Sequence, residues 1–175
     1  MPPRIVFVCT GNSCRSPLAE VLARARYADL PLLFASAGTD AVAGQPASDG
    51  ARDVARERGL DLSGHRSAPL DAAATAGAAW LIGLTRAHAA VLRARVSPAW
   101  PGSVGLLGTP GRDWRREGPP ACAAPGDARA EDPDVADPWR QDLDAYRAAA
   151  RRIDGLLAGW ADVFRELGEP GGCRR

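Results

Sequence analysis

The residues best suited to chemistry lie in one short run, Cys9-Thr10-Gly11-Asn12-Ser13-Cys14-Arg15-Ser16-Pro17. Cys9 offers a nucleophilic sulfur and Arg15 a planar fork of donors that holds two oxygens at once, as a lysine could not. The five residues between them suffice for a turn whose amide N–H groups close around a tetrahedral anion. Gly11 permits backbone angles barred to other residues, and Asn12 tolerates a left-handed conformation while its side chain braces the loop. The predicted anion site is therefore Thr10, Gly11, Asn12, Ser13, Cys14 and Arg15, with Cys9 beneath it. Its chemistry would be the opening of a phosphate ester without a metal.

Magnitudes show why every part is needed. A free thiol titrates near ~8.5, so a sulfur that attacks at neutral pH needs about 2 to 3 kcal/mol of help in ionising, and a helix terminus supplies about 0.3 to 2. The Arg15 guanidinium, the inward amides and the Ser16 hydroxyl must make up the difference. Repulsion between a thiolate and each unit of phosphate charge adds about 4 kcal/mol at ~4 Å and an effective dielectric of ~20. A neutral loop could not hold both anions.

Such a loop must be carried by a strand and a helix. Ile5-Val6-Phe7-Val8 is too short for a helix and reads as a buried strand, while Pro17 at an early helical position marks the start of the next element. Strands are predicted near Arg4–Cys9, Leu32–Ala35, Ala79–Leu84 and Ser103–Leu107, and helices near Pro17–Asp29, Pro46–Arg58, Thr85–Val96 and Pro138–Leu167, the last interrupted at Gly155 or Gly159. This alternation favours a parallel sheet with crossover helices, with the Cys9 loop at the carboxyl end of the first strand. Between Gly108 and Asp132 the sequence turns Pro/Gly-rich without a period, which predicts a long loop, and residues 168–175 read as a frayed tail. The globular domain is thus expected over residues 1–167.

The segment Val8 to Pro17 resembles the signature of low-molecular-weight protein-tyrosine phosphatases, a family shared with protein-arginine phosphatases and thioredoxin-linked arsenate reductases. The resemblance continues through Ser36-Ala37-Gly38-Thr39, Ser63-Gly64-His65-Arg66-Ser67, Leu84-Thr85-Arg86-Ala87-His88 and Asp134-Val135-Ala136-Asp137-Pro138-Trp139, with Tyr146 following. It implies a single-domain α/β Rossmann-like fold whose four-stranded parallel sheet has the order 2-1-3-4, flanked by helices. It implies hydrolysis of protein phosphomonoesters, above all phosphotyrosine, through a phosphocysteine on Cys9. Arg15 would act with it, and Asp137 would protonate the leaving group. Ser36 and His65 would brace the loop through its asparagine, and Cys14 would pair with Cys9 under oxidation.

Each residue also has a plainer account. Cys9 alone would be a small buried hydrophobe and Arg15 a solvated helical residue, but their joint spacing with Ser16 and Pro17 argues against this. Asp137-Pro138 alone would cap a helix, and Asp132-Pro133 shows how common that dipeptide is here. Cys14 reads equally as a packed thiol. His88 reads as a surface residue, and Arg86, Arg93 and Arg95 as a solvated face.

The substrate pocket is expected to involve Ser13, Ala41, Val42, Trp139 and Arg140. Ser13 stands where tyrosine-specific members carry a bulky aliphatic residue, Asp40-Ala41-Val42-Ala43-Gly44 offers no aromatic wall, and Arg140 replaces a usual glycine. These departures keep a protein-arginine phosphatase open as the alternative. An arsenate reductase would need two further cysteines after the third strand, where Trp80 to Val96 has none, and a non-catalytic phosphoprotein-binding module would be expected to lose Cys9 or Asp137.

Composition fits this picture. With 175 residues, 46% hydrophobic content and a formal charge of +1, the chain can bury one sizeable core and has no charge excess that calls for nucleic acid or a membrane. The four cysteines form no disulfide framework, and neither Cys9 with Cys14 nor Cys122 with Cys173 has zinc-ligand spacing. No cofactor or metal is expected. The partner is a phosphorylated protein or peptide, and the absence of a secretory segment after Met1 points to the cytoplasm.

Overall fold

The computed structural model of the 175-residue chain describes residues 1–119 and 132–169. Residues 120–131 of the Pro/Gly-rich stretch, with Cys122 among them, and residues 170–175, with Cys173, lie outside them. Strands β1 (Arg4–Cys9), β2 (Leu33–Gly38), β3 (Ala78–Gly83) and β4 (Ser103–Leu106) form a parallel sheet in the order β2-β1-β3-β4. The expected α/β architecture and strand order are therefore those observed. Helices α1 (Arg15–Arg26), α2 (Asp49–Glu57), α3 (Ala72–Thr75), α4 (Arg86–Arg95), α5 (Leu143–Ala158) and α6 (Ala161–Gly168) complete it. Among the described residues, no helix is long and apolar enough to cross a membrane.

β1 is central because both of its faces are apolar. Ile5 and Phe7 point to one side, into a core with Leu18, Tyr27, Trp160 and Phe164; Val6 and Val8 point to the other, against Ala89, Leu92 and Trp114. The first core is bound by aromatic edges. Tyr27 meets Phe164 edge-on at 5.1 Å, and Trp80 meets Trp160 at 5.1 Å. Trp160 reaches this position because the long C-terminal helix breaks at Gly159, and its indole Nε1 donates to the Leu107 carbonyl at 2.9 Å.

Several boundaries differ from expectation for local reasons. α5 starts at Leu143 instead of Pro138, since Arg140 sits at φ 60° and the Asp142 side chain caps the helix at the Ala145 amide. α2 starts at Asp49 instead of Pro46, α1 begins at Arg15, β2 continues to Gly38, and the short α3 carried no periodic signal. α6 includes Gly168, so the described chain stays helical to the point where fraying was expected. The stretch after β4 is a loop, but its first part is packed: Trp114 is buried and its backbone amide donates to the Val104 carbonyl at 2.8 Å.

The end of β4 also controls the approach of the segment that carries Asp137. A Cβ on Gly108 would lie 2.2 Å from the Pro133 carbonyl oxygen and 2.6 Å from its Cα, both backbone atoms that cannot rotate away. Gly108→Ala is therefore expected to destabilise the fold by about 1 to 3 kcal/mol, as other overpacking substitutions do. Urea denaturation would show this as a lower midpoint with an unchanged slope.

Candidate active site

The Cys9 loop leaves β1 at the point where the strand order reverses, with β2 on one side and β3 on the other. It lies over the N-terminus of α1, where Cys14 occupies the N-cap position. Asn12, wholly buried, takes φ 52°, the left-handed bend that turns successive amides toward one centre. Its carboxamide is fully used. Nδ2 donates to Ser16 Oγ and Ser36 Oγ, both at 2.9 Å, and Oδ1 accepts from the Ala68 amide at 2.8 Å. His65 Nε2 holds the Asn12 carbonyl at 2.8 Å, and Ser36 in turn donates to Glu20.

Gly38 explains how β2 can support this loop so closely. A Cβ there would fall 2.4 Å from the Thr10 carbonyl oxygen and 2.9 Å from the Asn12 nitrogen. Without it, the Thr39 and Asp40 amides reach the Cys9 and Thr10 carbonyls at 2.9 and 3.0 Å.

Cys9 Sγ is buried and lies 3.0 Å from Ser16 Oγ. The single hydroxyl proton of Ser16 has two acceptors in reach, that sulfur and the Ala37 carbonyl at 3.3 Å. Arg15 has a side chain only 7% exposed; its Nη1 donates to the Val135 carbonyl at 3.1 Å and its Nη2 to Asp137 Oδ2 at 2.7 Å. Its Nε is buried with no hydrogen-bond partner among the described residues.

Asp137 is not a helix cap, since Asp142 takes that position. Its Oδ1 accepts from the Trp139 amide at 3.1 Å, and its segment is pinned by the Val135 amide on the Leu84 carbonyl. Arg86 adds bonds to Asp134 and Asp132, at 3.2 and 3.0 Å, so it is an anchor and not merely part of a solvated face. Arg95 likewise donates to the Thr39 carbonyl.

A cleft of about 730 Å3 opens beside the loop, lined among others by Gly11, Ser13, Val42, Trp139, Arg140 and Tyr146. Ala41 does not line it; its Cβ is turned toward Gly38 instead. Trp139 is half-exposed, and the Arg140 guanidinium lies 5.9 Å from its ring centre. The left-handed backbone of Arg140 is one that glycine adopts without cost, so the glycine expected there from the family resemblance would fit it. Cys14 is buried, with Sγ 3.1 Å from Ser48 Oγ and 3.7 Å from the Tyr146 hydroxyl.

His88 overturns its sequence assignment. It is buried, with Nδ1 2.8 Å from Thr85 Oγ1 and Nε2 3.0 Å from Thr10 Oγ1. Desolvation, reinforced by Arg15 and opposed by Asp137 and Asp134, pushes its pKa down to about 4. The signal available was the Thr85-x-x-His88 spacing at a helix start, where a threonine cap turns the third residue back onto itself.

Residues 4–107 match the family described as low molecular weight phosphotyrosine protein phosphatase. The chain is 31% identical over 164 residues to a probable low molecular weight protein-tyrosine-phosphatase, EpsP, of Ralstonia nicotianae, covering 94% of this chain and 97% of that one. Its fold matches the YwlE arginine phosphatase of Geobacillus stearothermophilus with a TM-score of 0.73 at 30% identity, over 94% of each chain. The tyrosine phosphatase Wzb from Escherichia coli K30, solved in complex with sulphate, matches with a TM-score of 0.72 at 26% identity, over 93% of this chain and 99% of that one. Motif, fold and relatives agree: the chain is an enzyme of the low-molecular-weight protein-tyrosine-phosphatase family.

Proposed function

We propose that this chain hydrolyses phosphotyrosine in proteins, with Cys9, Arg15 and Asp137 as its catalytic residues. The observation that carries this reading is the buried Arg15 guanidinium, which ends beside Asp137 and whose Nε has no hydrogen-bond partner among the described residues. An unsatisfied buried donor costs about 1 to 3 kcal/mol, and a phosphoryl oxygen would offset that cost. In the reaction, Cys9 Sγ attacks phosphorus in line, the P–O bond to the leaving group breaks, and Asp137 gives that oxygen its proton. Asp137 then takes a proton from the water that attacks the phosphocysteine, which frees inorganic phosphate and restores the thiolate. Ser16, 3.0 Å from Sγ, donates its hydroxyl to the thiolate in both halves.

Thr10 to Cys14 form the phosphate cradle in this reading, and Ser36 and His65 hold its shape through Asn12. The cleft beside Ser13 would take the leaving group, with Trp139 as its aromatic wall. Stacking on one ring adds only about 0.5 to 1.5 kcal/mol beyond area burial, so selection for tyrosine would be moderate. A phosphoarginine substrate is the second reading. It is favoured by the small hydroxyl of Ser13, by Asp40 and Asp49 on the cleft wall, and by the likeness to the Geobacillus arginine phosphatase.

The same chemistry bears on redox state and location. A nucleophilic thiol suits the reducing cytoplasm. Peroxide would oxidise the Cys9 thiolate to a sulfenic acid, and the Cys14 thiol would displace water from it to form a disulfide. Cys14→Ala should then recover less activity than the parent after peroxide and reductant, and equal recovery would make Cys14 a packing residue.

Cys9→Ser should abolish turnover of a phosphotyrosine peptide while leaving affinity for inorganic phosphate within a few-fold of the parent. Asp137→Asn should slow hydrolysis by about 10²- to 10⁴-fold, and more for poor leaving groups than for good ones. Retained turnover in Cys9→Ser would sink the mechanism. For the leaving group, Ser13→Ile should raise the ratio of kcat/KM for phosphotyrosine over phosphoarginine peptides; an unchanged or inverted ratio would mean that Ser13 does not face it.

A further inference from the structure

α4 approaches the sheet unusually closely at its first turn. A Cβ on Gly83 would meet the Ala89 nitrogen at 2.6 Å and the His88 Cβ at 3.0 Å, so the glycine is what admits the turn. This places His88 between two hydroxyls, Thr85 Oγ1 of its own cap and Thr10 Oγ1 of the Cys9 loop. A neutral imidazole has one donor and one acceptor, and each hydroxyl can give or take, so both bonds form on the neutral ring, one hydroxyl donating to it and the other accepting from it. An imidazolium would place a second cation near Arg15. The charged groups that act on the ring are Arg15 from α1 and Asp134 and Asp137 from the segment before α5.

We infer that His88 is a positioning residue for the nucleophile loop, fixing the Thr10 side chain so that the Cys9–Thr10 peptide cannot pivot beneath the phosphate. This rests on the phosphatase reading of that loop. The Cys9 and Thr10 carbonyls are tied to the Thr39 and Asp40 amides, all on the β2 side of the loop. Bonds on one side leave the peptide free to rock about them. The His88 bond supplies a second tie, from α4, the helix that follows β3 on the edge of β1 opposite β2. Asn12 and its partners hold the far end of the loop and do not touch Thr10. A rocking peptide would still accept the phosphate oxygens through the remaining amides and Arg15, but would hold Sγ off the in-line axis. Loss of the tie thus falls on kcat more than on KM.

The test is a cycle of His88→Leu and Thr10→Val, with His88→Gln and Thr10→Ser as conservative partners, read by steady-state kinetics on a phosphotyrosine peptide and by inorganic phosphate affinity. His88→Leu and Thr10→Val should each lower kcat about tenfold, the equivalent of one lost hydrogen bond, with KM and phosphate affinity within about twofold. The double variant should be no slower than the slower single. Gln carries a donor and an acceptor at its tip, so His88→Gln should restore most of kcat, as should Thr10→Ser. Additive losses, an unchanged kcat in Thr10→Val, or a loss confined to KM would overturn the inference and leave His88 as a helix-cap residue. If His88→Leu does not fold, Thr10→Val against Thr10→Ser decides the matter in an otherwise native chain. Absence of phosphatase turnover in the parent, by contrast, would remove the reading beneath it.

Discussion

The site depends on one buried side chain that satisfies several strands of structure at once. Asn12 holds the loop in a left-handed bend, and its carboxamide joins Ser16 of α1, Ser36 of β2 and the Ala68 amide in the crossover to β3. A left-handed conformation costs a non-glycine residue about 1 to 2 kcal/mol, and the network offsets that cost. Remove the carboxamide and the loop loses its curvature, the Ser16 hydroxyl loses a partner that orients it, and β2 loses its tie to the turn. The packing of α1 on the sheet and the direction of the Cys9 sulfur are thus two results of the same bonds.

Arg15 links this loop to the segment near the C-terminal helix. Its Nη1 and Nη2 hold Val135 and Asp137, while Val135 is also fixed by Leu84 at the end of β3. Residues far apart in sequence therefore meet through a cation that is itself buried by the core. The carboxylate is half-exposed, so this ion pair is far weaker than its 2.7 Å separation suggests. A dianion arriving at the loop would compete for the same guanidinium and release the carboxylate toward the leaving group. In the proposed reaction, binding would then also free the Asp137 carboxylate from its ion pair.

Much of this was legible in the sequence because it is local. The run Ile5 to Val8, the glycine-bearing turn and Pro17 are consecutive, so periodicity and turn chemistry were enough to place the loop between β1 and α1. What escaped detection was non-local. Nothing adjacent to His88 reveals that Gly83 lets α4 settle onto the sheet, or that Thr10 waits on the other side. Arg86 looked solvated because its partners, Asp132 and Asp134, lie more than forty residues away. The start of α5 was missed because Pro138 resembles a first helical residue, whereas the left-handed Arg140 and the Asp142 cap postpone the helix by a turn.

The burial of His88 also couples the fold to proton activity. In the unfolded chain its imidazole titrates near ~6.5, and in the folded chain it is pushed down to about 4, so between those values the unfolded state binds more protons. Its neutral form is accommodated in full above the upper value, and stability is lost as pH falls through the window toward the lower one. The shift corresponds to about 3 kcal/mol, a large share of the margin that keeps a domain of this size folded. Acid would thus weaken this protein in part through the seat of α4 against the nucleophile loop, where folding opposes the protonation of His88.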